Sequence, residues 1–267
     1  MFKPRWVLAA VGAAFLVVMI IFPLYWGVRT SLVSNYNRDF VPTQLTLDNY
    51  RYLFNTGNFA NSLINSLIVS LLTVALTVPL AVFAGYALAR FDFAGKRFGA
   101  VLLVLPLLPA VAVLVPLILY MRGLGLYNTL YSVILGVTVF SLPFAIWITR
   151  GFMLSVPQEL EDAARLDGCG PFGILRRIMV PLIGPGLIAV GIFVFITAWN
   201  NYIFAFAFTT SAELRVVPVS ILGFISAWGT NYGGMNAAST LTMLPPLLFF
   251  LLFQKWFTQG ILAGSNR

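Results

Sequence analysis

Histidine is missing from this sequence of 267 residues. That removes the commonest general base and metal ligand at neutral pH. Cysteine occurs once, at Cys169, so an internal disulfide and a cysteine-based metal site are both excluded. Charged residues make up only 9% of the chain, against about 25% in soluble domains. No stretch has the spacing of a phosphate-binding Walker loop. The one Gly-Lys pair, Gly95-Lys96, lacks the upstream glycine and the following Ser or Thr. Any ATP hydrolysis that drives this chain therefore belongs to a different one. The eight acidic residues, Asp39, Asp48, Asp92, Glu159, Glu161, Asp162, Asp167 and Glu213, all fall outside the long apolar runs. Proton- and sodium-driven carriers usually bury a carboxylate or a histidine within the membrane, so ion coupling is disfavoured. An intramembrane enzyme is left with little chemistry.

What the chain has is apolar length. Hydrophobic residues are 60% of it. A membrane span needs about 20 apolar residues, and six charge-free stretches qualify: 6–28, 63–88, 98–120, 130–149, 182–206 and 237–254. The expected fold is all-α, a single transmembrane domain over residues 1–267. Lys3 and Arg5 precede the first run, and no small-residue cleavage site follows it. It reads as a retained span rather than a signal peptide. Val216–Trp228 is apolar, but it is too short to cross and contains Pro218. It reads as an interfacial or re-entrant helix.

The net charge of +8 would point to nucleic acid in a soluble protein. Here the basic residues are scattered between apolar runs, so positive-inside topology explains them better and no nucleic-acid partner is expected. Lys3, Arg5, Arg90, Lys96, Arg97, Arg150, Arg165, Arg176, Arg177, Lys255 and Arg267 share the side of the N-terminus. Arg29, Arg38, Arg51, Arg122 and Arg215 lie on the other. Eleven against five puts both termini and the 150–181 loop in the cytoplasm.

That loop is the one long charge-rich segment. Ser155 followed by Gln158 fits a capping box, with Pro157 in the first turn. Glu159, Glu161 and Asp162 suit the positive end of a helix dipole. Leu160, Ala163 and Ala164 share a small apolar face. Gly168 offers a left-handed C-cap, and Gly170-Pro171 opens a second helix. A short helix with a small face between spans suits docking into a groove of another protein. The alternative is a solvated cytoplasmic turn.

The segment resembles the cytoplasmic loop of ABC-transporter permeases, whose pattern is Glu-Ala-Ala, three residues, Gly, nine residues, Ile-x-Leu-Pro. Here Asp162-Ala163-Ala164, Gly168 and Ile178-Met179-Val180-Pro181 stand at the right gaps, with Asp162 for the Glu and Val180 for the Leu. Asp167-Gly168 and the ending Gln254–Gly264 resemble the sugar-importer branch. The resemblance implies a type I importer permease with six spans and a cytoplasmic coupling helix at 157–168. It carries coupling over to Asp162, Ala163, Ala164 and Gly168, with Glu161, Asp167, Ile178 and Pro181 beside them. It implies a second permease subunit, two ATP-binding subunits that hold ATP and Mg, and an extracytoplasmic sugar-binding protein. The setting is a bacterial or archaeal cytoplasmic membrane, and this chain binds no cofactor itself. An ATP-independent carrier or channel for a small polar solute is the rival reading.

Two groups of polar residues fall within spans. Ser62, Ser66, Ser70, Thr73 and Thr77 form one stripe at helical spacing, which fits either helix packing or a pathway lining. Thr197, Trp199, Asn200, Asn201 and Tyr202 place two amides beside aromatics. Amides hydrogen-bond sugar hydroxyls, and a ring covers an apolar sugar face. The same residues also fit amides satisfied within the bundle, or a Trp/Tyr belt at the membrane surface. Nine prolines lie in or at the edge of spans: Pro23, Pro79, Pro106, Pro109, Pro116, Pro143, Pro185, Pro245 and Pro246. Each removes a backbone bond and favours a kink of the kind alternating access uses.

Overall fold

A computed structural model describes residues 4–34, 39–42, 44–55, 58–97, 99, 109–226 and 229–265. The chain divides into two compact units: residues 1–60 with 220–244, and residues 61–219 with 245–267. Among the described residues, four helices are long and apolar enough to cross a membrane, and a bent pair makes a fifth.

The first unit contains α1 (Pro4–Ser31), α2 (Asp48–Asn55), a two-residue hairpin of β1 (Ile225–Ser226) and β2 (Gly229–Thr230), and the first turns of a long terminal helix. α1 extends beyond its expected 6–28 at both ends. Its end is tied to α2 by side chains. Asn49 Nδ2 donates to the carbonyls of Ser31 (3.0 Å) and Val33 (2.7 Å), and the Ser31 and Tyr50 hydroxyls lie 2.7 Å apart. The 216–228 segment becomes α10 (Val217–Ile221), a single tight turn and β1, and it makes no span. Trp228 lies outside the described residues.

The second unit is a helix bundle. α3 (Phe59–Arg90) and α5 (Leu130–Ser155) are longer than the expected 63–88 and 130–149. α5 runs on past Arg150, where apolar patterning stops but nothing in the sequence breaks a helix, whereas α3 ends at Arg90 itself. Of the third expected span, 98–120, residues 98 and 100–108 lie outside the described residues. Its end forms a tight turn at Ala110–Val113 and α4 (Leu114–Gly123).

The fifth expected span, 182–206, is not one helix. α8 (Gly184–Trp199) stops at Asn200, and α9 (Ile203–Phe208) follows. The stop has a local cause. Asn200 Nδ2 donates to the Ile196 carbonyl (3.0 Å), and Asn201 Oδ1 accepts from the Phe204 amide (3.1 Å), capping the next helix. The stretch leading into α8 bends by 79° at Ile183. Pro181 and Pro185 flank that bend, and each removes a backbone donor. The sixth span, expected at 237–254, runs as α11 (Tyr232–Ser265) through Pro245 and Pro246.

Among the described residues, three apolar clusters hold this unit together. Ala81, Ala145, Ile146, Val190 and Val194 join α3, α5 and α8 at mid-length. Val69, Met121, Val137, Phe204 and Phe208 fill one end. Val82, Tyr86, Met153, Ala164, Ile174 and Met179 fill the other, where the 155–181 loop packs. Each fully buried side chain of this size contributes about 1.5–3 kcal/mol. In a membrane that gain is mainly packing, because lipid tails are as apolar as the core.

Candidate functional site

The loop carries α6 (Gln158–Leu166), one residue shorter at its start and two at its end than 157–168. Its start corrects the capping-box expectation. Ser155 is the last residue of α5, and its hydroxyl is used on the Phe152 carbonyl (2.7 Å). Pro157 is extended and precedes the helix, which has no side-chain cap. The other end is as expected. Gly168 has φ +81°, a conformation that L side chains resist. The Gly168 amide donates to Arg165 (3.0 Å) and the Cys169 amide to Ala164 (2.9 Å). This double closure is the Schellman arrangement. α7 (Pro171–Ile174) then starts at Gly170-Pro171 and runs into a wide π-turn, Leu175–Met179.

The inner face of α6 is locked to the bundle by a charge. Glu161 is 0% exposed and pairs with the Nε of Arg90, which is itself 8% exposed. Tyr86 donates to the second carboxylate oxygen (3.2 Å), and Arg165 stands 4.0 Å from it. Arg90 also donates to the Val156 carbonyl (2.7 Å), so one guanidinium holds both the helix and the turn before it. Hydrogen bonds to ionised groups are roughly twice as strong as neutral ones. Ala164 sits beneath, in the cluster with Met153 and Ile174.

The expected Leu160-Ala163-Ala164 face is therefore split. Ala164 points into the core, whereas Leu160 and Ala163 are exposed. The outward face holds Asp162, Ala163, Leu166, Asp167 and Gly168. Leu166 is 90% exposed, and Asp162 is paired with Arg165 (2.9 Å). Pro181 is exposed and Ile178 half-buried. Arg90 and Tyr86 were not singled out from the sequence. Arg90 was read only as a topology-setting charge. The available signal was a buried-face Glu161 three residues before Ala164, which needs a cation.

The intramembrane candidates separate into two groups. Ser62, Ser66, Ser70, Thr73 and Thr77 are all buried within the chain. Ser66 accepts from the Val217 amide (2.9 Å). Trp199 is also buried and stacks on Phe195 at 5.9 Å. Asn200 is exposed, Thr197, Asn201 and Tyr202 are half-buried, and Tyr202 stacks on the exposed Phe206 at 5.3 Å. The structure thus places Glu161, Asp162, Ala163 and Ala164 on one small helix with Asp167 and Gly168 at its end, leaves Ile178 and Pro181 beyond it, and does not bring the Ser/Thr stripe to a surface.

A helical bundle with helices of membrane length, and a short helix packed on the loop between two of them, defines a multi-pass membrane protein. The model for the "Binding-protein-dependent transport system inner membrane component" family matches residues 56–263, and the chain belongs to that family. It is accordingly the membrane component of an ABC importer and not an enzyme. The arabinooligosaccharides transport system permease AraQ of Halalkalibacterium halodurans is 34% identical over 97% of this chain and 95% of its own length. The trehalose transport system permease SugB of Mycobacterium tuberculosis is 36% identical, over 96% and 93%. A chain of a bacterial ABC transporter involved in import of the acidic polysaccharide alginate shares the fold. Its TM-score is 0.83 at 22% identity, covering 95% of this chain and 96% of that one.

Proposed function

We propose that this chain forms one half of the pathway by which an ATP-driven importer moves a sugar, or a sugar derivative, across a cytoplasmic membrane. Its partners are a second permease, two ATP-binding subunits that hold ATP and Mg, and an extracytoplasmic binding protein. Both termini and α6 face the cytoplasm. The names of the relatives, with arabinooligosaccharide and trehalose among them, support the substrate class. The excess of basic residues on one side supports the orientation.

The observation that carries the coupling role is the two-sidedness of α6. Its inner face is fastened by Glu161 to Arg90, and its outer face presents Ala163 and a bare Leu166. A lever needs a rigid attachment on one side and a free contact on the other. Asp162, Ala163, Leu166, Asp167 and Gly168 make the contact with the ATPase subunit. Glu161 and Ala164 position the helix, and Ile178 and Pro181 pass its motion toward the bend at Ile183. Along the pathway, Asn200 and Tyr202 contact sugar at the break between α8 and α9, with Asn201 capping α9. Ser66, Ser70, Thr73 and Trp199 serve packing.

The experiment is substrate-stimulated ATP hydrolysis by the reconstituted importer carrying Ala163→Glu. Loss of stimulation with normal membrane insertion supports the role, and unchanged stimulation removes it.

A further inference from the structure

At the loop end of the second unit, a cavity of about 180 Å³ lies between α3 and α5. Its walls include Leu88, Lys96, Pro143, Ile146, Trp147 and Arg150. The last four recur at i, i+3, i+4 and i+7, so they share one face of α5. That face runs about 10 Å from an apolar end to a cationic one. Trp147 is 53% exposed, and its ring suits the depth where lipid tails meet headgroups. Arg150 has no carboxylate within ion-pair distance among the described residues, and its Nε contacts only the Leu88 carbonyl (3.4 Å). Lys96 pairs with Asp92 at 2.6 Å, and the Asp92 side chain is almost fully exposed. That bond holds the Asp92 carboxyl below its usual range. The nearby Arg90 charge is already matched by Glu161. The cavity therefore keeps one uncancelled guanidinium and a shared ammonium above an apolar wall.

We propose that this cavity binds the phosphate headgroup of an anionic phospholipid, with an acyl chain lying along Ile146 and Trp147. The guanidinium ends of Arg150 match phosphate oxygens in pairs, and Lys96 adds a point charge. Four of the six lining side chains are apolar, which favours a lipid over a free anion. The inference rests on the proposed orientation, in which this end meets the anionic cytoplasmic leaflet.

The test uses the assembled importer in nanodiscs, with lipids brominated on the acyl chain as quenchers. The Trp147 contribution is the emission difference between wild type and Trp147→Phe. Brominated phosphatidylglycerol should quench it at a lower mole fraction than brominated phosphatidylcholine. The Lys96→Gln/Arg150→Gln variant should need about fivefold more phosphatidylglycerol per cation removed. Equal quenching by the two lipids, or an unshifted double variant, overturns the site. Full displacement by millimolar inorganic phosphate marks a soluble-anion site and overturns the lipid. If the double variant does not assemble, Lys96→Gln alone decides, because it lies on an exposed turn: a shift of about fivefold supports the site and no shift overturns it. Coupling is read separately by ATP hydrolysis in the Ala163 variant, so either reading can fail alone.

Discussion

Replacing Arg90 by Met leaves the Glu161 carboxylate buried with its nearest counter-charge gone. Removing one partner of a buried ion pair costs about 3–5 kcal/mol. Tyr86 stays at 3.2 Å, and Arg165, half-exposed at 4.0 Å, can move closer. The lower end, about 3 kcal/mol, is therefore the expected cost. Undocking α6 returns Glu161 to water, so this cost appears as easier opening of the loop. At 1.4 kcal/mol per tenfold, opening becomes about a hundredfold more frequent. Hydrogen exchange of the 158–168 amides in the assembled importer reads this directly. The Arg90→Met/Glu161→Leu double variant buries no lone charge, and its exchange should return toward wild type. Exchange in Arg90→Met as slow as wild type, or a double variant faster than the single, would refute the reasoning.

Three further outcomes follow from local geometry. Gly168→Ala meets nothing within 4 Å, so its cost is backbone strain at φ +81°, about 1–2 kcal/mol. Substrate-stimulated ATP hydrolysis in proteoliposomes should fall while insertion is normal. Gly85→Leu puts a Cβ 3.1 Å from the Arg150 backbone nitrogen and from Thr149, which forces α3 off α5. A loss of about 1–3 kcal/mol should lower the unfolding temperature of the detergent-solubilised protein. Asn201→Ala removes the cap on Phe204 and should cost about 1 kcal/mol, seen as faster amide exchange at 203–206.

Composition made the class legible, because a chain with so few charges and such long apolar runs has only the bilayer as its solvent. The short helix of the 155–181 loop was readable as well. Gly168 and Gly170-Pro171 punctuate it, and these are backbone requirements that a sequence displays openly. Helix ends were less legible. Arg150 closed an apolar window, yet α5 runs on to Ser155, and α3 begins four residues before its expected start at 63. The Asn200-Asn201 pair was read as polar groups within a span, although its side chains satisfy backbone groups and break the helix. The Glu161–Arg90 pair joins residues 71 positions apart, and no local pattern encodes a contact of that range. Which of two neighbouring alanines faces the core was likewise decided by packing, not by spacing.

The most direct test of the lever is a crosslink from its free face. With Cys169 replaced by Ser, Leu166→Cys labelled with benzophenone-maleimide should join the ATPase subunit on irradiation in assembled importer. It should also be shielded from impermeant maleimide added outside intact cells. Labelling from outside, or the absence of any crosslink in a complex that transports, would contradict the account.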